Sequence, residues 1–240
     1  EHHFNDLKKK NPLCKFVLKN HKQRQKGIKL ENNLGNILKA QSQGFKLVQD
    51  YLEDPYIISK RKIKIRYYLL IVCDKKNICG YVHKNGFMYY TPKYFDPNSI
   101  DKDRNITTGY IDRQVYVENP LTTQDFREYL GKERAGHFDN MVRKKFKLMT
   151  NALKDTICNI DEYPNSTLFQ LFGADIAPNE DLDVQFMEIN KGPDVGGKDK
   201  RDSELKLNML KGIFKLVDSD TSNDSKINKI CRKINYERIL

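Results

Sequence analysis

An α+β protein, with antiparallel or mixed sheets and flanking helices, is predicted by three features of the sequence. Leu168–Pro193 (LFQLFGADIAPNEDLDVQFMEINKGP) reads as two strands joined by a tight turn. Arg61–Cys73 (RKIKIRYYLLIVC) reads as a long two-faced strand, and Ile78–Tyr90 carries a hairpin signal behind it. Helical spacing links Val142, Phe146, Met149, Leu153 and Ile157, and again Leu205, Met209, Ile213 and Leu216. With 240 residues, 38% hydrophobic and 31% charged, the chain can form one large domain or two small lobes with a true core.

Composition excludes some classes. No run approaches the roughly 18 apolar residues that span a bilayer; the longest greasy stretch, Tyr67–Cys73, has the length of a strand. No secretory signal pattern opens the chain, and a start at Glu1 rather than Met leads us to expect a fragment. The five cysteines, Cys14, Cys73, Cys79, Cys158 and Cys231, show no CxxC or zinc spacing, so reduced thiols and a cytoplasmic setting are expected. The net charge of +11 favours anionic partners, although part of the excess follows from a chain rich in Lys, Asn and Ile together.

In chain order, residues 1–13 are polar and expected to be irregular. Cys14–Lys19 (CKFVLK) reads as a short buried strand ending on a lysine. Asn20–Gly27 is a basic loop, and Ile28–Leu30 resumes a strand. Such a hairpin can lie over phosphates, though it lacks the GxxxxGK[ST] pattern of a P-loop. Glu31–Gln41 is expected to hold a short helix and Phe45–Tyr51 a strand, which Asp54-Pro55 ends. On Arg61–Cys73, Ile63, Ile65, Tyr67, Leu69 and Ile71 share one face; Lys62, Lys64 and Arg66 begin the other. Three cations in a row repel unless an anion lies there; a bound polyphosphate would supply it, and a lysine-blunted edge strand is the plainer alternative.

Lys75–Asn77 is expected to turn, and Lys84-Asn85-Gly86 to join the strands Ile78–His83 and Phe87–Tyr90 as a hairpin. Tyr94–Arg104 reads as a loop and Ile106–Tyr116 as partly extended. Thr122-x-x-Asp125 is a capping-box start for a short helix carrying Phe126, Tyr129 and Leu130. The longest helix is expected over about 136–159 as scaffolding.

In the late hairpin, Phe169, Leu171, Gly173 and Asp175 are expected on one side of the first strand. Val184, Phe186, Glu188 and Asn190 are expected on one side of the second. A register that sets Asp175 beside Glu188 would bring three oxygen donors together, which suits Mg²⁺. The same pattern suits a half-buried hairpin with a wet face, and spacing leaves both open. Residues 219–225 read as a polar linker and 226–240 as a basic tail. The five histidines are scattered, and none is assigned a catalytic role.

Several stretches, from about Phe16 to Val217, together resemble the tubulin–tyrosine ligase family, a branch of the ATP-grasp ligases. FQLFGADIAPNEDLDVQFMEINKGP is similar to that family's Phe-Gly-x-Asp strand, acidic turn and strand ending Glu-hydrophobic-Asn-x-x-Pro; this implies Mg²⁺ on Asp175, Glu188 and Asn190. FVLKNHKQRQKGIKL resembles the family's lysine strand and phosphate-covering loop, implying Lys19 on the α- and β-phosphates and Lys26-Gly27 in the lid. VQDYLEDPYII looks like the adenine hinge, implying Gln49 and the backbone of Asp50, Tyr51 and Leu52. RKIKIRYYLLI resembles the Arg-Lys-Phe-Asp-hydrophobic-Arg strand, implying Lys62 near the nucleotide and Arg66 near the transferred phosphate. NITTGYID is loosely similar to the family's His-Leu-Thr-Asn-Tyr segment.

Three positions depart from the family pattern: Lys64 stands for its usual Asp, Tyr89 for a frequent Arg, and Asn105 for a His.

The resemblance implies an ATP-grasp fold with the nucleotide between two lobes. Residues 1–50 would form a partial central lobe, 51–217 the C-terminal lobe with the Mg-ATP site, and 218–240 the linker and tail. It further implies an ATP-dependent carboxylate–amine ligase acting through an acyl phosphate, with Arg66, Lys19 and Glu188 catalytic and no protein nucleophile. A free amino acid and an acidic protein acceptor, such as a tubulin C-terminal tail, are the implied partners, with a cytoskeletal association. The alternatives are a catalytically impaired nucleotide-binding module of the same fold and a small-molecule ATP-grasp ligase. Nucleic acid is disfavoured, because the aromatics do not interleave with the basic runs as a stacking platform requires.

Overall fold

Phe4 and Leu7 sit three apart in a stretch without Gly or Pro, and residues His2–Lys10 form helix α1, with the Phe4 ring stacked on Phe16 at 5.3 Å. The expected irregular start is therefore helical; one aromatic anchor suffices where polar composition suggested none. The structure is a computed structural model, which describes residues 2–22, 27–74, 77–107, 112–158, 166–219 and 223–240. The elements that follow are β1 (Phe16–Lys19), β2 (Ile28–Glu31), α2 (Leu34–Ala40), β3 (Leu47–Asp50), β4 (Ile57–Ile58), β5 (Arg61–Asp74), β6 (Asn77–His83) and β7 (Phe87–Tyr90). Beyond them come α3 (Lys102–Asn105), α4 (Arg113–Glu118), α5 (Thr123–Leu130), α6 (Lys132–Ile157), β8 (Thr167–Pro178), β9 (Val184–Asn190), α7 (Lys200–Val217), α8 (Asp224–Lys233) and β10 (Tyr236–Arg238). The α+β class, with antiparallel sheets and flanking helices, is as the sequence predicts.

The chain divides into two units, Glu1–Ile63 with Tyr89–Val115, and Lys64–Met88 with Tyr116–Leu240. In the first, β1 is the centre of an antiparallel sheet ordered β2-β1-β3. Val17, Leu30 and Tyr51 form its core, with Ile28, Phe95 and Ile106 packed against them.

The second unit is built on the sheet β10-β6-β5-β8-β9. Tyr68, Leu70 and Val72 face Leu205, Met209, Ile213 and Leu216 of α7 and Ile227 and Cys231 of α8. Tyr67, on the other face, meets Phe146 of α6 ring to ring at 5.6 Å. The predicted capping box is present: Thr122 Oγ1 accepts from Asp125 N, and the Asp125 carboxylate accepts from Thr122 N.

Three further expectations are corrected. First, β6 and β7 do not form a hairpin around Lys84-Asn85-Gly86; both pair with β5. A strand of 14 residues is long enough to take them one after the other. Gly86 makes the passage possible, since a Cβ there would lie 2.6 Å from the Arg66 carbonyl oxygen. Second, the segment read as linker and tail folds. β10 pairs with β6, Tyr236 donates to the Met209 carbonyl at 2.9 Å, and Ile227 and Cys231 are buried. Its apolar residues fall at helical spacing within a lysine-rich stretch, which masks them. Third, the thiols are not all reduced. Cys73, near the end of β5, and Cys158, at the cap of α6, form a disulfide that links elements 85 residues apart in the chain. Cys14, Cys79 and Cys231 are free and buried.

Candidate functional site

In the second unit three neighbouring strands put one residue each on a common rung. Arg66 of β5 lies opposite Asp175 of β8, and Asp175 lies opposite Glu188 of β9. Directly paired side chains of an antiparallel sheet share a face. The register is the one that sets Asp175 beside Glu188. The side assignment of β9 is corrected, however. An irregularity between Asp175 and Ile176 pairs Ile176 with Phe186, so Met187 is an extra residue. The phase therefore flips: Phe186 packs on Phe146 of α6 at 5.1 Å, while Glu188 and Asn190 turn to the face of Arg66. Bulges commonly re-aim side chains in this way beside functional sites.

Asp175 has no exposed side-chain surface and is held by two cations. Arg66 Nε donates to Oδ1, Arg66 NH2 donates to Oδ2 at 3.0 Å, and Lys64 Nζ donates to Oδ2 at 2.7 Å. Burial alone would raise the pKa of Asp175. The Arg66 hydrogen bonds and the Lys64 and Arg66 charges outweigh it and hold the carboxyl below its ordinary value. Gly173 leaves room for the guanidinium, because a Cβ there would lie 3.1 Å from Arg66 NH1 and 2.8 Å from Pro193 Cβ. Next along β9, Glu188 is exposed, and Asn190 Nδ2 donates to Glu188 Oε1 at 3.3 Å.

The anion expected to separate the cations of β5 is thus partly internal: Asp175 serves Lys64 and Arg66. Lys62 has a different solution in the first unit. It is 6% exposed, and its Nζ lies 3.9 Å from the centre of the Tyr51 ring. Burial, aided by the nearby Lys15 charge, lowers its pKa to about 7. Tyr51 donates to Asn105 Oδ1 at 2.8 Å, and Asn105 Nδ2 donates to the Ser99 and Asp101 carbonyls. Asn105, where the family pattern has His, is a buried brace for Tyr51. Lys15, which no motif singled out, lies 4.8 Å over the same ring and 3.3 Å from Glu53.

The Lys62 ammonium makes stability depend on pH. Its folded pKa near 7 lies below the ordinary 10.5, so between those values the unfolded chain binds more protons. The penalty is fully present below the folded value and fades as pH rises towards the unfolded one. We expect the melting temperature of the wild type to gain on that of Lys62→Met as pH rises from about 7 towards about 10. Parallel profiles would show that Lys62 keeps its charge throughout.

Other predicted residues of the first unit are spread over its sheet. Lys19 of β1 is half-buried and lies between Ile28 and Leu47. Gln49 pairs with Val17, which puts it on the Lys19 face, whereas Asp50 pairs with Phe16 and points to the other. Leu52 is buried. Gly27 returns the loop, its carbonyl accepting from Asn20 N at 2.9 Å; Lys26 lies outside the described residues. A cavity of about 420 Å³ in the second unit lies behind the sheet, against Tyr67, Arg127, Asp139 and Arg143, and none of the predicted site residues lines it.

The tubulin-tyrosine ligase family model matches residues 1–226. The chain belongs to the tubulin-tyrosine ligase family. A probable tubulin polyglutamylase, TTLL9, of Rattus norvegicus is 26% identical over 182 residues, covering 72% of this chain and 39% of that protein. Tubulin glycylase 3A of Drosophila melanogaster is 26% identical over 211 residues, covering 81% and 21%. Protein monoglycylase TTLL8 of Mus musculus is 25% identical over 221 residues, covering 85% and 26%. The chain spans well under half the length of these tubulin-tyrosine ligase family relatives.

As oxygen donors for a hard divalent ion, Glu188 and Asn190 fit, being two residues apart on one face of β9 with Glu188 open to solvent. Asp175 differs, because both of its oxygens already accept from cations. Among the described residues no group of three or more His, Cys, Asp or Glu side chains forms a metal cluster. A hard ion at Glu188 and Asn190 would take its remaining ligands from phosphate and water.

Proposed function

We propose that this chain carries the nucleotide site of an ATP-dependent carboxylate–amine ligase, which adds an amino acid to an acidic protein acceptor. Family membership supports the class, and the Arg66–Asp175–Glu188 rung is the observation that carries the site. Lys64, Arg66 and Asp175 together leave one positive charge in excess on a largely buried surface, which suits a phosphate group. In this reading Arg66 orients the γ-phosphoryl group, Asp175 fixes the Arg66 guanidinium, and Glu188 and Asn190 would hold Mg²⁺, which supplies charge neutralisation to the phosphates when bound. In the first unit, Lys19 would contact the α- and β-phosphates and Lys62 the nucleotide. Gln49 and the backbone of Asp50–Leu52 would hold adenine, and Lys26-Gly27 would cover the phosphates.

A substrate carboxylate oxygen attacks the γ-phosphorus, ADP leaves, and an acyl phosphate forms. An amine then attacks the acyl carbon, phosphate leaves, and the amine loses a proton. Neither step needs a side-chain nucleophile; the chain positions the reactants and offsets charge.

The names of these relatives point to glutamate or glycine as the amino acid and to tubulin as an acceptor, and the net charge of +11 suits a glutamate-rich tail. A cytoskeletal association follows from that acceptor. Among the described residues no helix is long and apolar enough to cross a membrane. Incubation with ATP, tubulin and labelled glutamate, glycine or tyrosine is expected to label tubulin with one of the first two. Label on a small carboxylate alone would make this a small-molecule ligase. The Lys64 ion pair favours a second reading, a nucleotide-binding module without turnover. That module would show a melting shift with ATP and no phosphate release.

A further inference from the structure

Lys64 contributes charge to the proposed site but is given no substrate contact in it. Its ammonium lies 2.7 Å from Asp175 Oδ2, and the Arg66 guanidinium donates to both carboxylate oxygens. Asp175 has no exposed side-chain surface, and Lys64 itself is only 19% exposed. The neighbouring carboxylate on the same rung, Glu188, is exposed and hydrogen-bonded to Asn190. Two adjacent carboxylates therefore stand in opposite states, one saturated with fixed positive charge and the other open.

We propose that the Lys64 ammonium is the resident cation of Asp175, so that a nucleoside triphosphate binds here with a single exchangeable divalent ion, at Glu188 and Asn190. A divalent ion on Asp175 would need an oxygen at about 2.1 Å in near-octahedral geometry. That oxygen already accepts from Lys64 and Arg66, and a third cation beside them would add repulsion in a site of low dielectric. A tethered ammonium supplies one charge without having to be recruited from solution. It cannot bridge phosphate oxygens by coordination as a metal does, so Lys64 sets the ion stoichiometry of the site.

The inference rests on the nucleotide-binding reading above, and the two can fail separately. Mn²⁺ is titrated into the full chain in the presence of a non-hydrolysable ATP analogue, and bound ion is counted from the loss of the free-ion electron paramagnetic resonance signal. The wild type is expected to hold one Mn²⁺ per bound nucleotide. Lys64→Met, which keeps the length and removes the charge, is expected to hold a second. Lys64→Arg is expected to hold one. Two ions in the wild type, or one in a folded Lys64→Met, would overturn the proposal while leaving nucleotide binding intact. If Lys64→Met does not fold, the wild-type and Lys64→Arg counts decide. Absence of any nucleotide-dependent Mn²⁺ binding would remove both readings together.

Discussion

Replacement of Glu188 by Gln is expected to lower ATP turnover by at least about 100-fold while the protein melts as the wild type does. The two halves of this expectation have separate causes. Glu188 is exposed on β9 and accepts a hydrogen bond from Asn190, next on the same face, so the exchange removes charge without opening a cavity or stranding a buried group. Surface changes of this kind usually stay within about 0.5 kcal/mol. The chemistry is less tolerant. Glu188 is the only carboxylate on the rung that is not already neutralised, and a neutral amide is a far weaker donor to a hard divalent ion. Phosphate release and incorporation of labelled amino acid measure the first effect, and circular dichroism melting the second. Wild-type turnover in a folded Glu188→Gln would remove Glu188 from the site.

The strands that carry the site were legible in the sequence because each is long and patterned. β5 alternates over Lys62–Arg66 and continues as an apolar run, and the late hairpin ends in polar residues that an apolar strand does not need. Register was also within reach, since pairing Asp175 with Glu188 is what brings the polar ends together. The bulge at Met187 was only faintly legible. Its one mark is that the polar positions Gln185, Glu188 and Asn190 change phase across Met187, which strict alternation overrides, yet it decides that Phe186 faces α6 while Glu188 faces Arg66. The destination of the lysines was hidden for a related reason. The sequence shows three like charges at alternate positions, but not that one anion lies on the adjacent strand and that Lys62 resolves its own charge over the ring of Tyr51. Gly86 shows the same limit in the fold. Asn-Gly between two short strands is a strong hairpin signal, and it was overridden because β5 is long enough for β6 and β7 to use it in turn.

Asp175→Asn should be the most damaging substitution to the fold among the site residues. An exchange of nearly equal volume leaves no cavity, so its cost isolates the charge. In the wild type one carboxylate with no exposed surface answers Arg66 and Lys64, whose side chains are 14% and 19% exposed. With Asn there, Oδ1 can still accept from one of them, but Nδ2 would turn a donor towards the other. Removing one partner of a buried ion pair typically costs about 3–5 kcal/mol, because the remaining charge keeps its desolvation penalty. The partial exposure of the two cations places the expected loss at the lower end of that range, with the denaturant midpoint falling and the slope unchanged. A neutral companion change should recover part of it: Lys64→Met in the Asp175→Asn background removes one stranded charge, so the double variant should be more stable than Asp175→Asn alone. The opposite order would mean that Lys64 gains its stability elsewhere than at Asp175. A triphosphate should also rescue Asp175→Asn more than it stabilises the wild type, since an external anion then replaces the internal one. The same carboxylate would thus explain both why β5 can hold Lys64 and Arg66 on one face before any ligand arrives and why one positive charge is left over to meet it.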